Sequence, residues 1–223
     1  MKKISYLIII ILSTIVFHSC IPSLVYSPSL NLPSKPLIKD EVQILAGVGY
    51  LPETRPERTD PKMVPGGEAS IRFGLSNIVS AQIKGWKDIS GSFSDARYGF
   101  SISSIVVLGQ SSDFVFGTFP SAAIVLEESN IEGGGGSLPI CFWYTKFYPL
   151  SFYSAFGPAL GIRDISKKNN EWGWALILNV GAATTIKEHF TINFEVAGIK
   201  QVNEQNGYKS YFFSPSLNIG YVF

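Results

Sequence analysis

The sequence predicts an all-β fold: an antiparallel up-and-down transmembrane β-barrel of about ten strands, within a range of roughly eight to twelve. Three observations predict it. From residue 41 onward no stretch sustains a helical period, while many alternate apolar and polar residues at period two and are rich in β-branched and aromatic side chains. Tight connections alternate with longer polar ones along the chain. Aromatic residues gather toward the ends of the alternating stretches, at Tyr50, Trp86, Tyr98, Trp172, Trp174, Tyr211, Tyr221 and Phe223, as they do at membrane interfaces.

The chain opens with Lys2 and Lys3, then an apolar run from Ile4 to Phe17. That run is shorter than the roughly 20 residues a spanning helix needs and suits the core of an export signal, so residues 1–19 are read as a signal peptide. Without Lys2 and Lys3, the 18 Lys+Arg and 17 Asp+Glu leave a net charge of −1, which gives no electrostatic footprint for nucleic acid. Pro22, Pro28, Pro33 and Pro36 mark residues 20–40 as an extended, Pro-rich tether. The remaining residues, 41–223, suffice for one barrel domain.

Within that domain the predicted strands are Glu41–Tyr50, Glu68–Leu75, Asn77–Lys87, Asp95–Leu108, Asp113–Glu127, Ser137–Phe147, Leu150–Arg163, Trp172–Thr185, Phe190–Val202 and Ser210–Phe223. Alternation slips near Ser103 and Ser104, and Pro120 interrupts the fifth stretch. Longer loops are expected at 51–67, 88–94, 128–136, 164–171 and 203–209, the third containing Gly133 to Gly136 as a flexible run. The first, with Pro52, Pro56, Pro61 and Pro65 among alternating charges, is a solvated extracellular loop or a partner-binding or pore-covering segment.

One face of these strands is apolar. The other carries Glu41, Gln43, Glu68, Ser70, Arg72, Ser80, Gln82, Lys84, Arg97, Ser101, Asn179, Asn193, Glu195, Ser214, Ser216 and Asn218, with many Gly and Ala. Small residues on the polar face suit a narrow interior, so the apolar face is read as pointing outward. The lumen then holds a charge cluster of Glu41, Glu68, Arg72, Lys84, Arg97 and Glu195. Buried opposite charges must pair to offset desolvation, so the expected interior is one plugged by salt bridges. The alternatives are a small-solute channel and, with the faces reversed, a tethered lipocalin-like binder of apolar ligands.

Two termini carry resemblances. Tyr221, Val222 and Phe223 resemble the C-terminal signature of outer-membrane β-barrel proteins, which implies recognition by the barrel-insertion machinery. Cys20, after the small Ser19, resembles the cysteine of a bacterial lipoprotein signal, which implies lipid attachment at Cys20 by the lipoprotein-processing machinery. Cys20, the tether with Asn31, Leu32 and Pro33, and Glu41, Val42 and Gln43 opening the first strand together resemble a group of Bacteroidota outer-membrane barrel lipoproteins. That resemblance implies a place rather than a reaction: a bacterial outer membrane and contact with its lipid. The leading expectation for the chain itself is a non-enzymatic structural or partner-binding role, with an unidentified protein partner. The absence of acidic residues just after Cys20 implies a tether on the periplasmic side.

No cofactor or metal is expected, since Cys20 and Cys141 alone cannot make a cysteine-based zinc site. Cys141, beside Trp143 on the presumed inner face, reads as a small packed residue. His189, Thr191 and Glu195 resemble, with Thr in place of Ser, the late His-x-Ser and carboxylate of lipid A deacylases, which makes a lipid-modifying enzyme the remaining alternative.

Overall fold

The computed structural model describes residues 29–53, 62–89, 98–127, 130–163, 171–203 and 209–223. Its strands are β1 Val42–Glu53, β2 Lys62–Ser76, β3 Val79–Asp88, β4 Tyr98–Gln110, β5 Phe114–Thr118, β6 Ser121–Glu127, β7 Asn130–Ser137, β8 Ile140–Tyr144, β9 Leu150–Arg163, β10 Glu171–Ile186, β11 Phe190–Asn203 and β12 Lys209–Val222. They form a closed antiparallel barrel of ten staves. β1 closes on β12, with Gln43 opposite Val222 and Gly49 opposite Ser216.

Two staves are each made of two short strands. β5 pairs with the last residues of β4 and β6 with its first, while β7 and β8 share β9 in the same way. Pro120 and Pro139 fall at the breaks, where a proline has no N–H to give the ladder. Their carbonyls still serve it: Ser104 N–H donates to Pro120 O at 3.0 Å and Phe119 N–H to Pro139 O at 2.9 Å. The irregular stretch Asp113–Glu127 is therefore one interrupted stave.

The predicted loop 128–136 is a correction. Most of it is β7, and Gly133–Gly136 are paired on one side with β6 and on the other with β9. Glycine is a poor strand former alone, but closure supplies a ladder on both flanks, and those bonds override local propensity. Strands β1 and β2 also run past the predicted ends, to Glu53 and from Lys62. Of the loop 51–67 only 54–61 lies outside the described residues.

The barrel has two unlike rims. Ser76–Val79, Gln110–Phe114, Tyr144–Leu150 and Ile186–Phe190 join strands at one, where Glu41 and Phe223 also lie. The longer connections, from Glu53 to Lys62, Asp88 to Tyr98, Arg163 to Glu171 and Asn203 to Lys209, are all at the other. The first is the turn rim and the second the loop rim.

Outside and inside are chemically opposite. Ile44, Ile83, Ile102, Phe152, Phe194, Phe213 and Leu217 are exposed, Phe213 at 72%. Gln43, Arg72, Gln82, Lys84, Asn179, Asn193, Glu195 and Asn218 are all 2% exposed or less. A soluble lipocalin-like barrel needs the reverse arrangement, so that reading is corrected. One aromatic also departs from the predicted girdle: Trp86 faces inward against Ala123 and Val125. A Cβ on Gly99 would fall 1.9 Å from the Trp86 ring, so the glycine makes room for it.

Candidate functional site

The interior is occupied by the chain itself. Ser29, Leu30, Asn31, Leu32, Ser34 and Leu37 are buried, although all belong to the stretch read from sequence as a free tether. They bond to β2, β3, β8, β10, β11 and β12 and pack against the inner faces of β4, β5, β8, β9 and β10. The physical reason is alternation. Ser29 and Asn31 are polar, Leu30 and Leu32 apolar, and the lumen offers a wall for each.

The polar wall is built on β1–β3 and β9–β12. Glu68 sits at its centre, 2.5 Å from Lys84 Nζ. Ser29 Oγ lies 2.6 Å from Glu68 Oε2, and Asn31 Nδ2 donates to Glu68 Oε1 at 3.0 Å. Asn218 Nδ2 donates to both Glu68 Oε1, at 2.8 Å, and Asn31 Oδ1, at 2.6 Å. Lys84 Nζ donates to the Ser29 carbonyl at 2.8 Å and also meets the Ser29 hydroxyl. The ammonium and the carboxylate thus clamp one residue of the inner segment between them.

Arg72 makes no ion pair in the described contacts. Its guanidinium donates to Gln43 Oε1 at 2.7 Å, Gln82 Oε1 at 2.8 Å and the Asn31 carbonyl at 2.9 Å. This is the fork geometry of Arg spent on three neutral oxygens. Glu195, fully buried, is held likewise by neutral donors. Leu30 N–H reaches Oε1 at 2.7 Å, Asn31 N–H reaches Oε2 at 3.1 Å, and Asn179 Nδ2 reaches Oε1 at 2.6 Å. The Tyr153 hydroxyl stands 2.7 Å from Glu195 Oε2 and from Asn193 Oδ1.

Two successive backbone amides can meet one carboxylate only if the chain turns, because neighbouring N–H groups of an extended strand point opposite ways. Asn31 supplies the turn with φ of 54°, the left-handed region that Asn tolerates well. The result is a small anion-binding nest with Glu195 as its anion. Gly181 makes the approach of Tyr153 feasible, since a Cβ there would lie 2.3 Å from its ring.

The apolar wall comes from β4, β5, β8, β9 and β10. Leu30 and Leu32 join a cluster with Ile105, Val107, Val115, Phe119, Cys141, Trp143, Ala155 and Ala183. Trp143, fully buried, donates Nε1–H to the Pro33 carbonyl at 3.2 Å. On either side of Pro33 along the segment, Asn193 Nδ2 donates to the Leu32 carbonyl at 2.6 Å, and the Ser34 and Thr185 hydroxyls bond at 2.6 Å. Cys141 is a buried free thiol in this cluster.

The structure brings together Glu68, Arg72, Lys84 and Glu195 of the predicted charge cluster. Glu41 is corrected out of it. It lies at the turn rim, where its carboxylate accepts from Ile38 N–H at 2.9 Å and stands 3.8 Å from Lys35 Nζ. Being the first residue before β1, it sits too close to the rim to reach the lumen centre. Arg97 and Cys20 lie outside the described residues. Salt-bridge filling is corrected as well: Glu68 with Lys84 is the one ion pair of that cluster among the described residues, and Arg72 and Glu195 are held by neutral side chains together with peptide groups of the inner segment.

Tyr221 and Phe223 form an aromatic group at the turn rim with His189 and Phe190. Tyr221 and Phe223 rings are 4.8 Å apart, and His189 stacks on Tyr221 at 5.3 Å. His189 Nδ1 lies 2.9 Å from the Val222 carbonyl at the rim. Thr191 and Glu195 face the lumen instead, so the three residues of the lipid-modifying alternative are not brought to one place. The residues that sequence reasoning missed are Ser29–Ser34, Tyr153 and the partner roles of Asn31 and Asn193. Period-two alternation from Ser29 to Leu32 was the available signal.

No family model and no curated protein sequence matches the chain. Among solved structures it is similar to the N-terminal β-barrel domain of Pseudomonas aeruginosa OprF, at 12% identity and TM-score 0.37, covering 83% of this chain and 98% of that one. It is similar to the outer membrane protease OmpT from Escherichia coli at 10% identity and TM-score 0.44, covering 85% and 97%. It is also similar to Ail, the attachment invasion locus protein of Yersinia pestis, at 11% identity and TM-score 0.32, covering 83% and 100%. At these scores the likenesses say nothing of activity.

Proposed function

We propose that this chain is a bacterial outer-membrane β-barrel whose lumen is closed by its own residues 29–37, with a non-enzymatic structural or partner-binding role. The supporting observation is the pairing of an apolar exterior with an interior whose central polar groups, Glu68, Arg72, Lys84 and Glu195, are spent on the inner segment. An exterior rich in exposed Ile, Leu and Phe matches the lipid-facing band of a spanning barrel, and the aromatic group at Tyr221 and Phe223 matches an interfacial girdle. Closure of the barrel leaves no unpaired strand edge in hydrocarbon. Outer-membrane lipid, the insertion machinery and an unidentified protein are its partners in this reading, and Cys20 is its lipid-attachment residue.

The reading is tested in planar lipid bilayers. The wild-type protein is expected to be electrically silent, and a variant lacking residues 29–37 to form steady channels once unheated-against-boiled gel mobility shows that its barrel is intact. Steady conductance from the wild type would overturn closure and favour the small-solute channel, which the polar wall would then line. A protein that stays in the aqueous phase without detergent would overturn the membrane assignment itself.

A further inference from the structure

The inner segment has a direction, and the contacts read it out step by step. Ser34 meets Thr185, one residue from the end of β10 at the turn rim. The Leu32 carbonyl meets Asn193, and the Leu30 and Asn31 amides meet Glu195, each step carrying β11 farther from that rim. Across the lumen, Asn31 meets Arg72 and Ser29 meets Glu68, so β2 is also followed away from the turn rim. At the other end, Asp40 N–H donates to Gly74 O at 3.0 Å at the turn rim, and the chain then enters β1. Going backward from β1, the chain enters the lumen at the turn rim and climbs toward the loop rim. At Ser29 it is still climbing.

We propose that the chain threads the whole barrel: its part N-terminal to Ser29 leaves through the loop rim, so that Cys20 lies on the loop side of the membrane. Lys62, the loop-rim end of β2, is six residues beyond Glu68, about 15 Å along the axis for a strand tilted roughly 40°. Cys20 is nine positions before Ser29, a reach of up to about 30 Å for extended chain, which clears the rim. The opposite route would turn the chain inside the lumen and send it back beside residues 29–37. There Glu68, Lys84, Glu195, Asn193, Trp143 and Thr185 already bond the first pass. A second pass would have to share the lumen with the first and bury a further run of N–H and C=O groups, each needing a partner of its own. In the outer-membrane reading, on which this consequence rests, a lipid on Cys20 would be held in the outer leaflet, opposite to a periplasmic tether.

The test uses the full-length chain in cells, with single reporters for a membrane-impermeant maleimide. Ser23→Cys reports the segment after Cys20. Asn169→Cys, between β9 and β10, reports the loop rim, and Lys146→Cys, in the exposed β8–β9 turn, reports the turn rim. Labelling is read over the wild-type background on intact and on permeabilised cells, for variants whose barrels keep the boiling-dependent gel shift. Ser23→Cys is expected to follow Asn169→Cys, with labelling of intact cells equal to that of permeabilised ones. A Ser23→Cys pattern that follows Lys146→Cys would overturn the threading. The assignment holds by comparison with the two rims, so it stands apart from the orientation of the barrel. If Asn169→Cys itself labels only after permeabilisation, the orientation fails while the route is still decided.

Discussion

The two walls of the lumen hold the same short segment by different physics. On the β1–β3 and β11–β12 side, Glu68, Arg72, Lys84, Glu195 and Asn218 bind Ser29 and Asn31 through directed bonds. On the β4–β5 and β8–β10 side, Ile105, Val115, Phe119 and Trp143 take up Leu30 and Leu32 by area alone. Directed bonds fix the register, because a shift of one residue would present leucines to the carboxylates. Apolar contact adds affinity but tolerates sliding. A lumen can thus be selective on one side and merely accommodating on the other.

Lys84→Met should weaken the polar wall most. It leaves Glu68 buried with no cation beside it, a loss of about 3–5 kcal/mol. Urea unfolding in lipid vesicles would read it, and the double variant Glu68→Met with Lys84→Met should recover most of the loss. If the single variant were as stable as wild type, the polar wall would not be the selective one. Leu32→Ala probes the other wall and should cost about 2–5 kcal/mol by the same assay, with a graded rather than switched response in the Leu32→Val variant. Equal sensitivity of Leu32→Val and Leu32→Ala would argue for directed fit there too.

Ile83→Lys sharpens the contrast between inside and outside. It should destabilise by about 2–4 kcal/mol in bilayers, if its exposed position faces the hydrocarbon midplane, and far less when the barrel is carried in short-chain detergent. An identical loss in both media would point to packing rather than lipid. Asn31→Ala should have the smallest effect, about 1–3 kcal/mol, from the lost bonds to Glu68 and Asn218. Asn31→Asp tests its chemistry: it keeps the shape and the left-handed turn but sets a carboxylate beside Glu68. It should therefore be worse than Asn31→Ala if Asn31 acts as a donor to that carboxylate.

Much of this was legible residue by residue. Period two separated Gln43, Glu68, Arg72, Lys84 and Glu195 from Ile44, Ile83 and Phe194, and the burial of the first group and exposure of the second follow that period. The interrupted stave at Asp113–Glu127 was visible as a slip of phase with Pro120 in it. Gly133–Gly136 was not legible as a strand, because glycine carries no side-chain pattern and its pairing to β6 and β9 depends on neighbours far along the chain. Glu41 shared the parity of the lumen residues. Parity says which face a residue is on but not how deep, and Glu41 lies at the rim.

The inner segment marks the limit most clearly. Proline spacing in residues 20–40 has the same appearance whether the chain runs free in water or lies in a groove. The alternation of Ser29 to Leu32 is too short to outweigh it. The alternation of outward apolar and inward polar residues along the staves is written in the chain, because strand pleat is a local property of two successive residues. That Glu195 closes on the amides of Leu30 and Asn31, 165 and 164 positions away, came from the folded barrel alone. Such contacts exist only once β12 meets β1, and no local pattern encodes which buried donor a closed barrel will bring to a buried acceptor.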